Sequence, residues 1–380
     1  MLTEHDFASQ KRRADVVARR LADRHTPLIR NAWYVAAKGD EITRRLMART
    51  LLGVSVLLYR TEAGEPVALH NRCCHRSFPL SEGKLEGDTV VCRYHGLRYD
   101  AMGSCIAIPS QSQSPGKIGV RRYITMERGP LVWIWMGDPA LSESTPLPHP
   151  EWLGHPDWDI EIGYVNVKGS YVHLHENLLD LSHLSFLHET TFGTPEYAAA
   201  PIETKIEGDD IQVWRHVPCV LPPLYAKPLG WEGMRAIRHS GSQFVSPGLH
   251  VNSGVFENLD LPKEQQSPPP MVKVAQIITP ECQDRVHYYY AFCRNFVRGN
   301  PEVGAFMIKG FTAAFNEDVY ALEKISDMHA QEDASQFYEI DIAADRAGLQ
   351  MRRHLKTLAD RETAEVSGVA PHFGKVPGAE

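Results

Sequence analysis

The sequence predicts a two-domain α+β protein, in which an all-β domain of short strands precedes a domain of long β-runs and helices. Three observations carry this expectation. The chain has 380 residues, more than one ordinary hydrophobic core holds. Short β-rich runs broken by turn residues fill residues 32–135. After a stretch dense in proline at 137–156, long apolar β-runs are mixed with helical periodicity.

The composition fits that reading and excludes several others. Hydrophobic residues make up 43% and charged residues 23% of the chain, enough to fill two cores, and no stretch approaches the roughly 20 apolar residues of a membrane span. Residues 1–30 are charged and periodic, without the blocks of a secretory signal, so a cytoplasmic location is expected. A net charge of −7 offers no bulk attraction to nucleic acid or to an anionic membrane. Seven cysteines in such a chain point to metal binding or catalysis before disulfides.

The elements follow in order. Residues 1–29 form a helical segment in which Phe7, Val16, Val17, Leu21 and Ala22 make an apolar stripe among basic residues. The all-β domain is set at 30–140, with strands at 51–59, 89–92 and 131–135. Gly64-Glu65-Pro66, Glu82-Gly83, Glu86-Gly87-Asp88 and Met102-Gly103 supply its turns. The second domain, 141–380, opens with a strand at 160–167 and a helix over 171–188. Long β-runs follow at 241–259, 271–279 and 285–295, the last with three consecutive tyrosines and both faces covered. The polar, proline-rich stretch 261–270 reads as a mobile loop. A helix over 302–328, striped by Phe306, Phe311, Phe315, Val319 and Leu322, and a charged helix over 341–361 close the chain.

Two constellations carry chemistry. Cys73-Cys74-His75 and Cys92-Arg93-Tyr94-His95 are separated by 16 residues and fall where turns interrupt strands. Cys73, His75, Cys92 and His95 suit either a tetrahedral zinc or a [2Fe-2S] cluster of Rieske type, with cysteines on one iron and histidines on the other. Zinc modules usually pair like with like, whereas each loop here contributes one ligand of each kind, which favours the cluster. Imidazoles in place of thiolates raise the reduction potential and make such a cluster a relay. Cys74 and Cys105 read as buried small hydrophobes. Arg72, Arg76 and Arg93 are either solvated surface residues, donors to cluster sulfurs, or receivers of an acidic redox partner.

The second constellation lies in residues 177–188, where Asn177, Asp180, His183 and His188 interleave with five leucines and a phenylalanine. Buried polar groups need partners, so this density points to a site. On a continuous helix Asn177, Asp180 and His183 share a face. His188 lies about 140° round from His183, so both serve one metal only if the helix ends or bends between them; Gly193 and Pro195 permit an exit. Two histidines among 18 are a weak signal alone. With a carboxylate they become the facial triad of a non-haem iron site. The helix over 302–328 supplies it, with Asp318 preferred and Glu317 the rival.

Together the constellations resemble the oxygenase components of Rieske non-haem iron oxygenases, and within them the group of vanillate and dicamba O-demethylases. The likeness rests on Cys-x-His…Cys-x2-His, on Asn-x2-Asp-x2-His-x4-His, on their order, and on Asn31-Ala32-Trp33-Tyr34-Val35-Ala36 as the entry to the first domain. It runs from Asn31 to about Asp327. It implies an N-terminal all-β Rieske domain and a C-terminal catalytic domain in which an antiparallel sheet grips helices, the helix-grip or START-like form. Cys73 and Cys92 would ligate one cluster iron, His75 and His95 the other, and His183, His188 and Asp318 a mononuclear Fe(II). Asp180 would orient His183 while bridging to a cluster histidine, His95, of the next subunit in a head-to-tail homotrimer. Asn177 would sit near the iron. Cys74 departs from the proline often found there and leaves a less stiff loop.

The activity implied is that of a terminal oxygenase. Electrons from NAD(P)H would arrive through a separate flavin reductase, a ferredoxin, or both, and O2 would oxidise a small aromatic substrate by O- or N-demethylation. Ring hydroxylation or dihydroxylation is the alternative. No glycine-rich dinucleotide turn follows a strand, in keeping with an external donor. Phe311 and the tyrosines at 288–290 are candidates to line an apolar pocket over the iron. Two readings of another class stand beside this one: a non-catalytic Rieske electron-transfer protein and a zinc-stabilised ligand-binding protein.

Overall fold

The computed structural model describes residues 3–266, 268–331 and 337–368; residues 1–2, 267, 332–336 and 369–380, which fall in the expected helical segment, loop and second domain, lie outside it. Ten short strands build the first part: β1 (Trp33–Lys38), β2 (Met47–Leu51), β3 (Val54–Arg60), β4 (Pro66–His70), β5 (Lys84–Glu86), β6 (Thr89–Val91), β7 (Arg98–Tyr99), β8 (Cys105–Ala107), β9 (Arg122–Arg128) and β10 (Leu131–Trp135). They form a six-stranded sheet in the order β1-β10-β9-β4-β3-β2 and a four-stranded sheet β5-β6-β7-β8.

The second part is one antiparallel sheet of β11 (Asp159–Lys168), β12 (Glu203–Glu207), β13 (Asp210–Val220), β14 (Arg235–Ser246), β15 (Leu249–Asn258), β16 (Met271–Cys282) and β17 (Arg285–Arg294). Its order is β11-β17-β16-β15-β14-β13-β12. The helix Pro301–Gln331 packs on one face, as the expected grip requires.

Strand alternation explains how the parts join. On β17 every residue from Val286 to Arg294 is buried, because both faces are covered. Tyr288 and Tyr290 pack on Phe315 of the long helix, with ring centroids 6.1 Å and 4.8 Å away. Tyr289 points the other way, where Arg49 Nη1 donates to its hydroxyl at 2.5 Å. On that other face Trp33, Val35, Trp133 and Trp135 share a core of 12 buried residues with Leu249, Ala275, Ile277 and Ala291. At about 1.5–3 kcal/mol per large side chain, opening this seam would cost on the order of 10–20 kcal/mol.

Several local expectations are corrected. The first helix is Glu4–Ala18, started by a capping box of Thr3 and Asp6, and none of its residues is buried. Phe7 and Val16 are 49% and 57% exposed, and burial begins only at Leu21 and Ala22 beyond the helix. The run 241–259 is two strands, β14 and β15, joined by a tight turn at Pro247-Gly248. A Cβ on Gly248 would lie 2.4 Å from the Trp33 carbonyl, so the turn is seated against β1. β12 and β13 were not foreseen. Within the expected loop a 3₁₀ turn, Lys263–Gln266, is held by buried Gln266, whose Nε2 donates to the Asn258 carbonyl at 2.8 Å and whose Oε1 accepts from Asn258 N at 2.7 Å. On the long helix Phe306 is 41% exposed and Met307 takes its place in the buried stripe. No described helix is long and apolar enough to cross a membrane.

Candidate active site

The cysteine–histidine motifs occupy two loops with one backbone design. In each, the first cysteine donates its N–H to the carbonyl five residues on: Cys73 to Phe78 at 2.9 Å and Cys92 to Leu97 at 2.8 Å. Its carbonyl accepts from the residue four on, Ser77 at 3.0 Å or Gly96 at 2.9 Å. That fourth residue has positive φ in both loops, 60° at Ser77 and 74° at Gly96. Glycine adopts this freely, whereas a serine needs support. Arg72 gives it, donating from Nε to Ser77 Oγ at 2.8 Å, so Arg72 braces the loop.

Cys73 and Cys92 are buried and His75 and His95 exposed, with the imidazole rings 4.6 Å apart. Thiols inside and imidazoles outside match the two ends of a two-iron cluster. A single tetrahedral zinc would draw all four donor atoms to within roughly 4 Å of one another. Among the described residues the one group of three or more donors within 4.8 Å of one another lies elsewhere, so the zinc alternative does not fit. Burial pushes the Cys92 thiol up, while the N–H groups of Tyr94 and His95 favour its thiolate. A buried thiolate pair needs the positive charge that iron provides. Tyr99, which no sequence pattern singled out, places its hydroxyl 3.1 Å from Cys73 Sγ and 3.2 Å from Cys74 Sγ. Cys74 is exposed rather than buried, whereas Cys105 is buried.

The second site forms where a helix stops. Tyr171–Leu179 is capped by Ser170 and ends at Asp180, whose backbone is extended at φ −97° and ψ 109°. The expected helix over 171–188 is therefore broken, and Asp180 does not share a helical face with Asn177 and His183. Ser182 N donates to Asp180 Oδ1 at 2.6 Å, an Asx turn that ends the helix locally. A 3₁₀ turn, Ser182–Ser185, then re-aims His183. Gly193 lets the loop return: its N–H donates to the His188 carbonyl at 2.9 Å, and a Cβ there would lie 1.8 Å from the Leu184 carbonyl oxygen.

This brings His183, His188 and Asp318 together. Asp318 Oδ1 lies 3.5 Å from His183 Nε2 and 3.2 Å from His188 Nε2. Glu317 takes the opposite side of His188, accepting at 2.8 Å from Nδ1 and at 2.8 Å from the Thr191 hydroxyl. His183 Nδ1 is 4.0 Å from Asp180 Oδ2. Asn177 Nδ2 donates to Asp318 Oδ1 at 3.1 Å, and its Oδ1 is buried without a partner. Burial pushes His183 down. It acts downward on His188 too, but the hydrogen bonds and charges of Asp318 and Glu317 outweigh it and raise that group. Two imidazole Nε2 atoms and one carboxylate oxygen, with His188 Nδ1 held by the Glu317 carboxylate, fit a facial iron(II) triad.

The triad opens on a cavity of about 80 Å³ lined by Leu178, Leu184, Phe192, Val272, Val274, Phe311 and Phe315, with Arg238, Asn252 and Gln276 among its polar groups. Phe311 lines it as expected. The tyrosines at 288–290 do not, although Tyr288 donates to Gln276 Oε1 at 2.5 Å from behind.

The Rieske [2Fe-2S] domain family matches residues 32–124, and the vanillate O-demethylase oxygenase C-terminal domain family matches residues 167–361. The iron-sulfur subunit of the toluene-4-sulfonate monooxygenase system of Comamonas testosteroni is 37% identical, the match covering 90% of this chain and 99% of that one. The oxygenase component of dicamba O-demethylase from Stenotrophomonas maltophilia is 30% identical, over 88% of this chain and 99% of that one. A crystal structure of dicamba monooxygenase bound to 3,6-dichlorosalicylic acid superposes with a TM-score of 0.83 at 29% identity, covering 89% of this chain and 99% of that chain.

Proposed function

The chain belongs to the oxygenase components of the Rieske non-haem iron oxygenases, and from that premise we propose that it removes a methyl or similar alkyl group from the oxygen or nitrogen of a small aromatic substrate. The observation that carries this reading is a two-histidine, one-carboxylate group opening on a mostly apolar cavity. The [2Fe-2S] cluster and the mononuclear iron, when bound, supply stored electrons and oxygen activation. Cys73, His75, Cys92 and His95 would hold the first, and His183, His188 and Asp318 the second.

The protein's own groups do the rest. Phe192, Phe311 and Phe315 exclude water from the reacting methyl group. Glu317 fixes the proton of His188 on Nδ1, leaving Nε2 free to bind metal. Asn177 holds Asp318 by its amide. The reaction balances as ArOCH3 + O2 + NAD(P)H + H+ giving ArOH, HCHO, H2O and NAD(P)+. A flavin reductase, a ferredoxin, or both would deliver the electrons.

We further propose that the protein works as a head-to-tail homotrimer in the cytoplasm. The Asp180 side chain is 30% exposed beside His183, and His75 and His95 are exposed, so a carboxylate of one subunit is free to meet a cluster histidine of the next. Seven unpaired cysteines suit a reducing compartment.

The test is turnover by purified, iron-loaded protein with a generic reductase against methoxylated, N-alkylated and carboxylated aromatics. Formaldehyde equal to NAD(P)H consumed is expected. Hydroxylated rings without formaldehyde would favour ring hydroxylation, and full turnover by His183→Ala with an intact cluster spectrum would overturn the assignment of the iron site.

A further inference from the structure

The cavity contains a buried cation with no counter-ion. Arg238 on β14 is 4% exposed and lines the space that the iron triad opens on. One guanidinium nitrogen donates to the Phe192 carbonyl at 2.6 Å and another to the Tyr225 hydroxyl at 3.3 Å. Its Nε has no partner. The rings of Phe192, Tyr197 and Tyr225 stand 5.5, 4.9 and 4.8 Å from its central carbon. The groups that act on its charge are the hydroxyls of Tyr197 and Tyr225 and the thiol of Cys219, and it makes no ion pair among the described residues.

Of the three other buried arginines, Arg294 meets Asp159 at 2.6 Å and Arg352 meets Glu176 at 3.1 Å. Arg215 makes no ion pair among the described residues, but it donates to the Tyr197 and Ala200 carbonyls and does not line the cavity, so Arg238 alone brings an unpaired charge to the space beside the triad. Burying a charge without a partner costs several kcal/mol, and π faces offset only part of that. An arginine always carries its charge and offers five N–H donors, more than Phe192 and Tyr225 use. What the site lacks is an anion with several acceptor oxygens, and the cavity is where one would arrive.

We propose that the substrate carries an anionic oxyacid group, a carboxylate or a sulfonate, and that Arg238 is the residue that binds it. This rests on the aromatic-substrate reading above. The acid end sits against the guanidinium, the ring lies among the phenylalanines, and the alkylated end faces His183 and His188. The same contact sets specificity, because a neutral analogue leaves the guanidinium desolvated and unpaired.

The experiment measures binding to anaerobic, iron-loaded protein by calorimetry, with 4-methoxybenzoate, 4-methoxybenzenesulfonate and the neutral 4-methoxybenzamide, alongside formaldehyde release. At least one acid should bind about 10- to 100-fold more tightly than the amide. The tighter acid identifies the anion. Arg238→Gln should erase the preference and Arg238→Lys keep part of it, with cluster spectrum and iron content unchanged. If Arg238→Gln fails to fold, the acid–amide ratio in the native protein and in Arg238→Lys decides. Equal binding of amide and acids, or a preference that survives in Arg238→Gln, overturns the proposal. Formaldehyde from the amide while neither acid binds would sink the anion site and leave demethylation standing. If none of the three binds or reacts although both metals are present, the aromatic reading and this proposal fall together.

Discussion

Removing the carboxylate of Glu317 should weaken iron binding at a site it does not itself ligate. The side chain of His188 is only 1% exposed, and its Nδ1 has Glu317 Oε2, 2.8 Å away, as partner. In Glu317→Ala that buried N–H loses its acceptor, at about 1–3 kcal/mol. Ring orientation and tautomer are also released. The loss corresponds to roughly 5- to 150-fold in Fe(II) affinity, which brackets the roughly 10- to 100-fold typical of groups behind metal-bound histidines. Glu317→Gln keeps an acceptor oxygen and loses only the charge, about 1 kcal/mol or five-fold. The assay is anaerobic Fe(II) titration against a chromophoric chelator, with the visible Rieske spectrum as internal control. Unchanged affinity in Glu317→Ala, or glutamine weakening the site more than alanine, would refute the reasoning.

Asp180→Asn should leave cluster and iron loaded yet reduce product formation by on the order of 100-fold, measured as formaldehyde per electron-donating turnover, if Asp180 links subunits; normal turnover contradicts the link. Gly193→Ala should destabilise by roughly 3 kcal/mol and lower iron content, because its Cβ would fall 1.8 Å from the Leu184 carbonyl oxygen. Urea midpoints and metal analysis check it, and a variant as stable and iron-replete as the parent would count against that packing. His175 is fully buried and pushed down to about 4 from 6.5, chiefly by desolvation. A base depressed in the folded state contributes nothing adverse above its unfolded value, and protonation then favours unfolding as pH falls. Stability should therefore drop by about 3 kcal/mol between roughly pH 6.5 and pH 4, and His175→Gln should flatten that slope in urea titrations; parallel slopes would remove His175 as the cause.

The chemistry was legible where ligands are close in sequence. Cys73, His75, Cys92 and His95 sit in two short loops, and the donor types alone separate a cluster from zinc once their spread is known. His183 and His188 were readable as a pair, but the leucine periodicity runs straight through Asp180 and hides the break that brings them together. Asp318 and Glu317 are adjacent, and only the long helix's orientation decides that one meets the histidine Nε2 atoms and the other a far Nδ1. Arg238 was invisible because Arg235, Arg238 and His239 look alike in a strand, and which of them turns inward depends on sheet pairing far along the chain. β13 escaped because its period-two burial is carried by mixed polar and apolar residues, and the Pro247-Gly248 turn because apolar runs flank it on both sides.

The seam in which Trp133 and Trp135 pack against Ala275, Ile277 and Ala291 has a consequence for timing. A proline-dense connector reads as a flexible joint, yet the two sheets are bonded through a common interior, so neither swings on the other. The loops bearing His75 and His95 keep a fixed station relative to the triad of their own chain. Reduction of the cluster and entry of substrate are then events at stationary ports, and no swing of one sheet on the other separates them in time.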